Sequence, residues 1–192
     1  MKSRGPKVLQ PLCGRPMLAY VLDQALALDP TRVLVVVGVG AEAVRTQLEA
    51  DGLDPRVEFV VQEEQLGTGH AVRCCLPWLT GERGGEPERD WVVVLYGDMP
   101  LLRGTSLGHL LKVCEDSGGL TLLTAEADDP RGFGRILRDG EQVQGVVEER
   151  DATAEQLALR EVNVGVYAFP APPLIEELPL LSNSNAQGEY YL

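Results

Sequence analysis

Nowhere does this sequence hold a run of about 18 apolar residues, the length a helix needs to cross a membrane, so no membrane-spanning segment is expected. Cationic side chains are also scarce: 17 lysines and arginines stand against 29 aspartates and glutamates, a net charge of −12. That balance argues against a general nucleic-acid surface, because duplex binding gathers many lysines and arginines on one face. Cysteine occurs only at Cys13, Cys74, Cys75 and Cys114, without the paired spacing of a metal cluster. Reduced thiols and a cytoplasmic location are the simplest expectation. The stretch "VLQPLC" has too short an apolar run, interrupted by Gln10 and Pro11, for a lipoprotein cleavage region. The partial match "GVGAEA" (38–43) lacks the third glycine of G-x-G-x-x-G, which leaves a dinucleotide-binding dehydrogenase unsupported.

What is present describes one globular domain: 44% hydrophobic and 24% charged residues over 192 positions suffice for a single buried core. "RVLVVVGVG" (32–40) is a continuous branched apolar run, read as a strand buried on both faces, and "AEAVRTQLEA" after it has helical spacing. The pattern returns as "VEFVVQ" (57–62) with "GHAVRCCLPWL" (69–79), and as "WVVVLYGD" (91–98) with "SLGHLLKVCEDS" (106–117). Three strand-helix units predict an α/β fold with a mainly parallel sheet and helices on both faces. The later runs "GLTLLTAEA", "GRILRD", "VQGVVEE" and "EVNVGVYAF" predict shorter strands that extend it as a mixed sheet. "GERGGEPERD" (81–90) reads as a surface loop, and no internal repeat or low-complexity tract is present.

Ligands of open parallel sheets sit at the carboxyl ends of the strands, which directs attention to Gln62 onward and to Tyr96-Gly97-Asp98. Asp98 ends an apolar run beside a glycine and offers a hard carboxylate suited to Mg²⁺; a turn residue or helix cap is the competing reading. "QEEQLGTGHAV" (62–72) places Gly67 and Gly69 around Thr68, although glycine in a helix costs roughly 1 kcal/mol against alanine. Two readings fit: a turn with Thr68 as N-cap, or a backbone stripped of side chains so that a ligand can approach it. Lys2, Arg4, Lys7 and Arg15 precede the first acid, Asp23, as either a solvated basic arm or an anion site. His70 is expected to be structural, and His109 to lie on a helix surface.

"PKVLQPLCGRPML", "QEEQLGTGHAV", "LYGDMPLL", "DDPRGFGRI", "VVEERDAT", "VNVGVYAF" and "NSNAQGEYYL" occur in that order. Together they closely resemble the uridylyltransferase domain of the bacterial GlmU family, the bifunctional N-acetylglucosamine-1-phosphate uridylyltransferases and glucosamine-1-phosphate N-acetyltransferases. The resemblance runs from Met1 to Leu192 and implies a Rossmann-like three-layer nucleotidyltransferase domain. It also implies transfer of UMP from UTP to N-acetylglucosamine 1-phosphate with Mg²⁺, within UDP-N-acetylglucosamine and cell-wall biosynthesis. By the same resemblance, Lys7 meets the nucleotide phosphates, and Gln62 and Gly67 contact the uracil with Thr68 beside them. Tyr96 and Gly97 border the sugar and its acetyl group, Asp98 holds Mg²⁺, and Gly134, Glu148 and Asn163 complete the sugar pocket.

Departures from the family pattern set further expectations. Family members open with a strand and a loop of the form L-A-A-G-x-G-T-R-M-K, whereas this chain opens at that methionine. They continue past "EYYL" into a second magnesium-binding asparagine and a β-helix that carries the acetyltransferase and the trimer contacts. A domain truncated at both ends is therefore expected, with a central first strand missing, poor folding alone and weak or absent turnover. Two alternatives stay open, namely transfer to another sugar 1-phosphate and a catalytically dead module that binds the sugar nucleotide.

Overall fold

In the computed structural model the described residues are 5–83 and 90–192; Lys2, Arg4 and most of the loop 81–90 lie outside them. After a 3₁₀ turn at Lys7–Leu9 come two short paired strands, β1 (Pro11–Leu12) and β2 (Arg15–Pro16), and helix α1 (Met17–Leu26). Next follow β3 (Val33–Val37), α2 (Ala41–Ala50), β4 (Val57–Val61), α3 (Thr68–Arg73), α4 (Leu76–Leu79), β5 (Trp91–Val94) and α5 (Gly104–Ser117). The remainder is β6 (Thr121–Glu126), β7 (Arg135–Asp139), β8 (Gln142–Val147), α6 (Ala154–Leu157), β9 (Glu161–Pro170), α7 (Ala171–Glu177) and a 3₁₀ turn at Leu178–Leu180.

α2 occupies the span its spacing predicts. The helix expected over 69–79 is instead two short helices, and Cys74-Cys75 falls at their junction. The physical reason is Pro77, which has no N–H to continue the first helix and is tolerated only in the opening turn of α4. α1 was not anticipated, although Leu18, Val21 and Leu22 give it a buried stripe at helical spacing. α7 was likewise unforeseen.

The layers follow from which face each strand turns. Leu18 and Leu22 of α1 and Val44 and Leu48 of α2 pack on Val35 and Val37 of β3. Leu107, Leu110 and Cys114 of α5 cover Val93 of β5 and Val166 and Ala168 of β9. On the opposite face, Val72, Leu79, Leu174 and Leu178 cover Val92, Val94 and Phe169. The arrangement is three-layered, and among the described residues β3-β4 is the one parallel pair, so the mainly parallel sheet expected from the strand-helix units is instead a parallel pair beside an antiparallel sheet. β3 pairs with β4 in parallel from Val33↔Val57 to Val37↔Val61, while the long strand β9 pairs antiparallel with β5, β6 and β7.

β3 and β5 are not joined. Among the described residues each has a ladder partner on one edge only, and a cavity of about 820 Å³ lies between them. Val33–Val37 line one side of it, Trp91–Val94 the other, with α1 on one face and α3 on the opposite face. The ends of the two strands share one mouth of this slot, because Gln62 follows β4 with its N–H on Val37 O, 2.8 Å away, and Thr68 reaches Tyr96 beyond β5.

Candidate functional site

Residues that leave the carboxyl ends of β3, β4 and β5 crowd that mouth. Gln62, Gly67, Thr68, Tyr96 and Gly97 all line it. Lys7 reaches across from the amino-terminal segment, its Nζ 2.5 Å from Asp98 Oδ2, with side-chain exposures of 66% and 31%. An ion pair this open to solvent is weak and exchanges partners readily. Lys7 and Asp98 therefore present a cation and a hard carboxylate together at the strand ends.

Gln62 is held firmly. Its Nε2 donates to Gly67 O at 3.2 Å and lies 3.0 Å from His70 Nδ1. Both amide hydrogens are thereby engaged, and the carbonyl oxygen is the group left to accept from a ligand. This gives His70, expected to be structural, a specific task in orienting Gln62. Thr68 is the first residue of α3 rather than its N-cap; Gly67 precedes the helix with φ of +100°, without a side-chain cap bond. The approach the glycines permit is to the chain's own carboxyl-terminal segment. A Cβ on Gly67 would fall 2.7 Å from Tyr190 O, and one on Gly69 would fall 2.8 Å from Tyr191 O. The segment is stitched there by Tyr190 N–H to Leu66 O (2.7 Å) and Gly69 N–H to Tyr190 O (2.8 Å), with the Arg73 guanidinium 4.2 Å over the Tyr190 ring.

The second group is built on β7, β8 and β9. Asn163 N–H donates to Gly134 O at 2.9 Å, which sets β9 beside the start of β7. Glu148 follows β8, and a Cβ on Gly134 would meet its Oε1 at 3.0 Å, so glycine keeps this corner open. Asn163 Nδ2 donates to the Tyr167 hydroxyl at 2.7 Å, and Asn163 Oδ1 accepts from Gly165 N–H at 3.0 Å. Burial, reinforced by Asp151 and Glu189, pushes the Glu148 carboxyl above its usual range. Tyr96 joins the two groups. Burial pushes its phenol up to about 12, with Tyr167, Glu148 and Asp98 acting in the same direction and a hydrogen bond with Thr68 opposing them.

Lys7, Gln62, Gly67, Thr68, Gly97, Asp98, Gly134, Glu148 and Asn163 thus lie in two neighbouring clusters that meet at Tyr96, whereas Arg15 of the basic opening segment pairs with Asp23. Sequence reasoning gave no role to Tyr167, Gly165 or the tail residues Glu189 and Tyr190. The signal for the tail was its motif "NAQGEYY", whose placement against α3 only the fold reveals. Among the described residues no three His, Cys, Asp or Glu side chains form a metal cluster. A single exposed carboxylate is nonetheless compatible with Mg²⁺, which binds through one or two carboxylates and completes its shell with water and phosphate oxygens.

Residues 1–177 match the family model of the MobA-like NTP transferase domain. The whole chain aligns with the "Bifunctional protein GlmU" of Stutzerimonas stutzeri at 51% identity over 194 residues, and with that of Paraburkholderia xenovorans at 49% over 193. It spans 40% of the length of each of these curated relatives. The fold is similar to that of a UDP-glucose pyrophosphorylase complexed with UDP-glucose, with a TM-score of 0.74 at 15% identity, covering 97% of this chain and 75% of that one. A putative glucose-1-phosphate thymidylyltransferase from Bacillus anthracis gives a TM-score of 0.67 at 18% identity, covering 88% and 65% respectively.

Proposed function

Since the chain belongs to the MobA-like NTP transferase domain family, we propose that it carries the site for transfer of UMP from UTP to N-acetylglucosamine 1-phosphate. The products are UDP-N-acetylglucosamine and pyrophosphate. The observation that carries this reading is the pairing of Lys7 with Asp98 at the strand ends, next to a polar cluster of Tyr96, Glu148, Tyr167 and Asn163. Alignment of the whole chain with 40% of each of two proteins named GlmU supports it.

A phosphate oxygen of the sugar phosphate attacks the α-phosphorus of UTP in line, and the bond from that phosphorus to the pyrophosphate oxygen breaks. The nucleophile is already an anion, so no proton must be removed; alignment and charge neutralisation are what the protein contributes. Lys7 meets the phosphates as a point charge. Asp98 would hold Mg²⁺, which would supply neutralisation of phosphate charge. The solvent-open pair between them leaves the Lys7 ammonium able to turn to a phosphate oxygen. Gln62, its N–H groups committed to Gly67 and His70, offers its carbonyl oxygen to the N3–H of uracil. Cytosine lacks that hydrogen. Gly67 and Thr68 flank the base, Tyr96 and Gly97 border the sugar, and Glu148 accepts from sugar hydroxyls in the space Gly134 leaves.

Pyrophosphate release from UTP, Mg²⁺ and either N-acetylglucosamine 1-phosphate or glucose 1-phosphate tests the reading, alongside calorimetric titration with UDP-N-acetylglucosamine. Preference for the acetylated sugar supports it. The reverse preference assigns another sugar 1-phosphate, binding without turnover assigns a binding module, and no binding of UDP-N-acetylglucosamine overturns it.

A further inference from the structure

The ladder between β6 and β9 slips at one point. Leu122 lies opposite Tyr167 and Thr124 opposite Asn163, so the stretch of β6 from 122 to 124 faces the longer stretch of β9 from 163 to 167. The surplus is taken up at Gly165, whose φ of +79° bends the strand. Residues four apart in a regular strand lie about 13 Å from each other, whereas two steps of β6 span only about 7 Å. The bulge therefore draws Asn163 and Tyr167 together, and Asn163 Nδ2 donates to the Tyr167 hydroxyl at 2.7 Å. Bulges beside sites commonly re-aim a side chain in this way.

Both ends of the Asn163 amide are fixed by this bend. Oδ1 accepts from Gly165 N–H at 3.0 Å and one Nδ2 hydrogen goes to Tyr167, which leaves the second Nδ2 hydrogen to donate to a ligand. Tyr167 is itself held in place. It is 5% exposed, its ring stands 5.8 Å from that of Phe169, and its backbone pairs with Val94 of β5 and Leu122 of β6. Burial pushes its phenol above the usual range, with the Asn163 bond opposing, so a neutral hydroxyl is what receives the amide hydrogen. Resting on the sugar-nucleotide reading above, we propose that Tyr167 is a positioning residue, which holds the Asn163 amide so that its remaining N–H meets an oxygen of the sugar. Without the phenol oxygen, the Gly165 N–H alone orients the amide, and the rest of its ordering falls on the ligand. The bonds that hold Gln62 run to Gly67 and His70 and none to Tyr167, so the uridine end is indifferent to this hydroxyl.

Tyr167→Phe keeps the ring and removes only the oxygen. In calorimetric titrations of the full 192-residue chain, UDP-N-acetylglucosamine should bind about two- to twelvefold more weakly, the worth of one hydrogen bond, while UDP binds as before. In the Asn163→Ala background the same change should cost nothing further, because Tyr167 acts through the amide. The side-chain amide resonances of Asn163, recorded without ligand, should shift in Tyr167→Phe, and those of Asn183 and Asn185 should stay in place. Equal weakening of UDP and UDP-N-acetylglucosamine, additive losses in the double variant, or unmoved Asn163 resonances would overturn the proposal. Failure of the unmodified chain to bind UDP-N-acetylglucosamine overturns the sugar-nucleotide reading and with it the sugar as ligand; the ligand-free resonances then decide the Asn163 contact by themselves.

Discussion

Gly165 offers a quantitative handle on the centre of the site. Its φ is +79°, and a Cβ there would fall 2.0 Å from Cε2, 2.8 Å from Cζ and 2.9 Å from Cδ2 of Tyr96. Carbon atoms in contact prefer about 3.5–4.0 Å, so in Gly165→Ala the ring must retreat by about 1.5 Å. The ring cannot retreat freely, since its hydroxyl bonds Thr68 and it faces Tyr167 and Glu148. A left-handed backbone costs a non-glycine residue about 1–2 kcal/mol, and overpacking adds about 1–3 kcal/mol. Gly165→Ala should therefore destabilise the chain by about 2–5 kcal/mol. Urea unfolding of the parent, Gly165→Ala, Tyr96→Ala and the double variant separates the two contributions. Removing the ring relieves the clash but not the backbone strain, so the double variant should lose about 1–3 kcal/mol less than the sum of the single ones. Additivity within about 0.5 kcal/mol would refute the contact as described.

Glu148→Gln tests the buried carboxyl through pH. Folding raises its pKa, so the carboxyl contributes stability below its ordinary value of 4.5 and loses that contribution as pH rises through the raised value. The variant should melt higher than the parent at pH 7 and lose that advantage towards pH 4; a pH-independent difference would contradict the assignment. His70→Phe removes the partner that orients the Gln62 amide. It should weaken uridine nucleotide binding by about two- to twelvefold, the worth of one hydrogen bond, and narrow the preference over cytidine nucleotides. Equal loss for both bases in a calorimetric comparison would argue against an orienting role. Leu107→Ala, at a side chain with 0% exposure between α5 and β9, should cost about 2–5 kcal/mol in urea unfolding without changing the bound ligand's contacts.

Elements that declare themselves by local periodicity were legible. β3, α2 and β4 follow from branched apolar runs and helical spacing that tertiary context did not overrule. The strand expected over 91–98 stops at Val94, because its partner β9 turns through Gly165 with φ of +79° and yields space to the Tyr96 ring. That is a long-range effect invisible in "WVVVLYGD". α1 was masked by its neighbours: Pro6, Pro11 and Pro16 make the opening segment read as irregular, although Pro16 is well placed before a helix. At the site, the motif residues identified the two clusters, while their coupling through Tyr96 depends on β5 and β9 lying side by side. The glycines of "QLGTGHA" show the limit most clearly. Their need for close backbone approach was readable, whereas the partner, Tyr190 and Tyr191 some 120 positions later, was not.

The central claim is that a sugar nucleotide binds across both clusters at the strand ends. Titrating the isotope-labelled chain with UDP-N-acetylglucosamine, while following its backbone amide resonances, tests this most directly. The account predicts saturable shifts at Gln62, Gly67 and Thr68 on the base side and at Tyr96, Gly134, Glu148 and Asn163 on the sugar side. Absence of saturable binding in a folded chain, or shifts confined to residues away from both clusters, would contradict it.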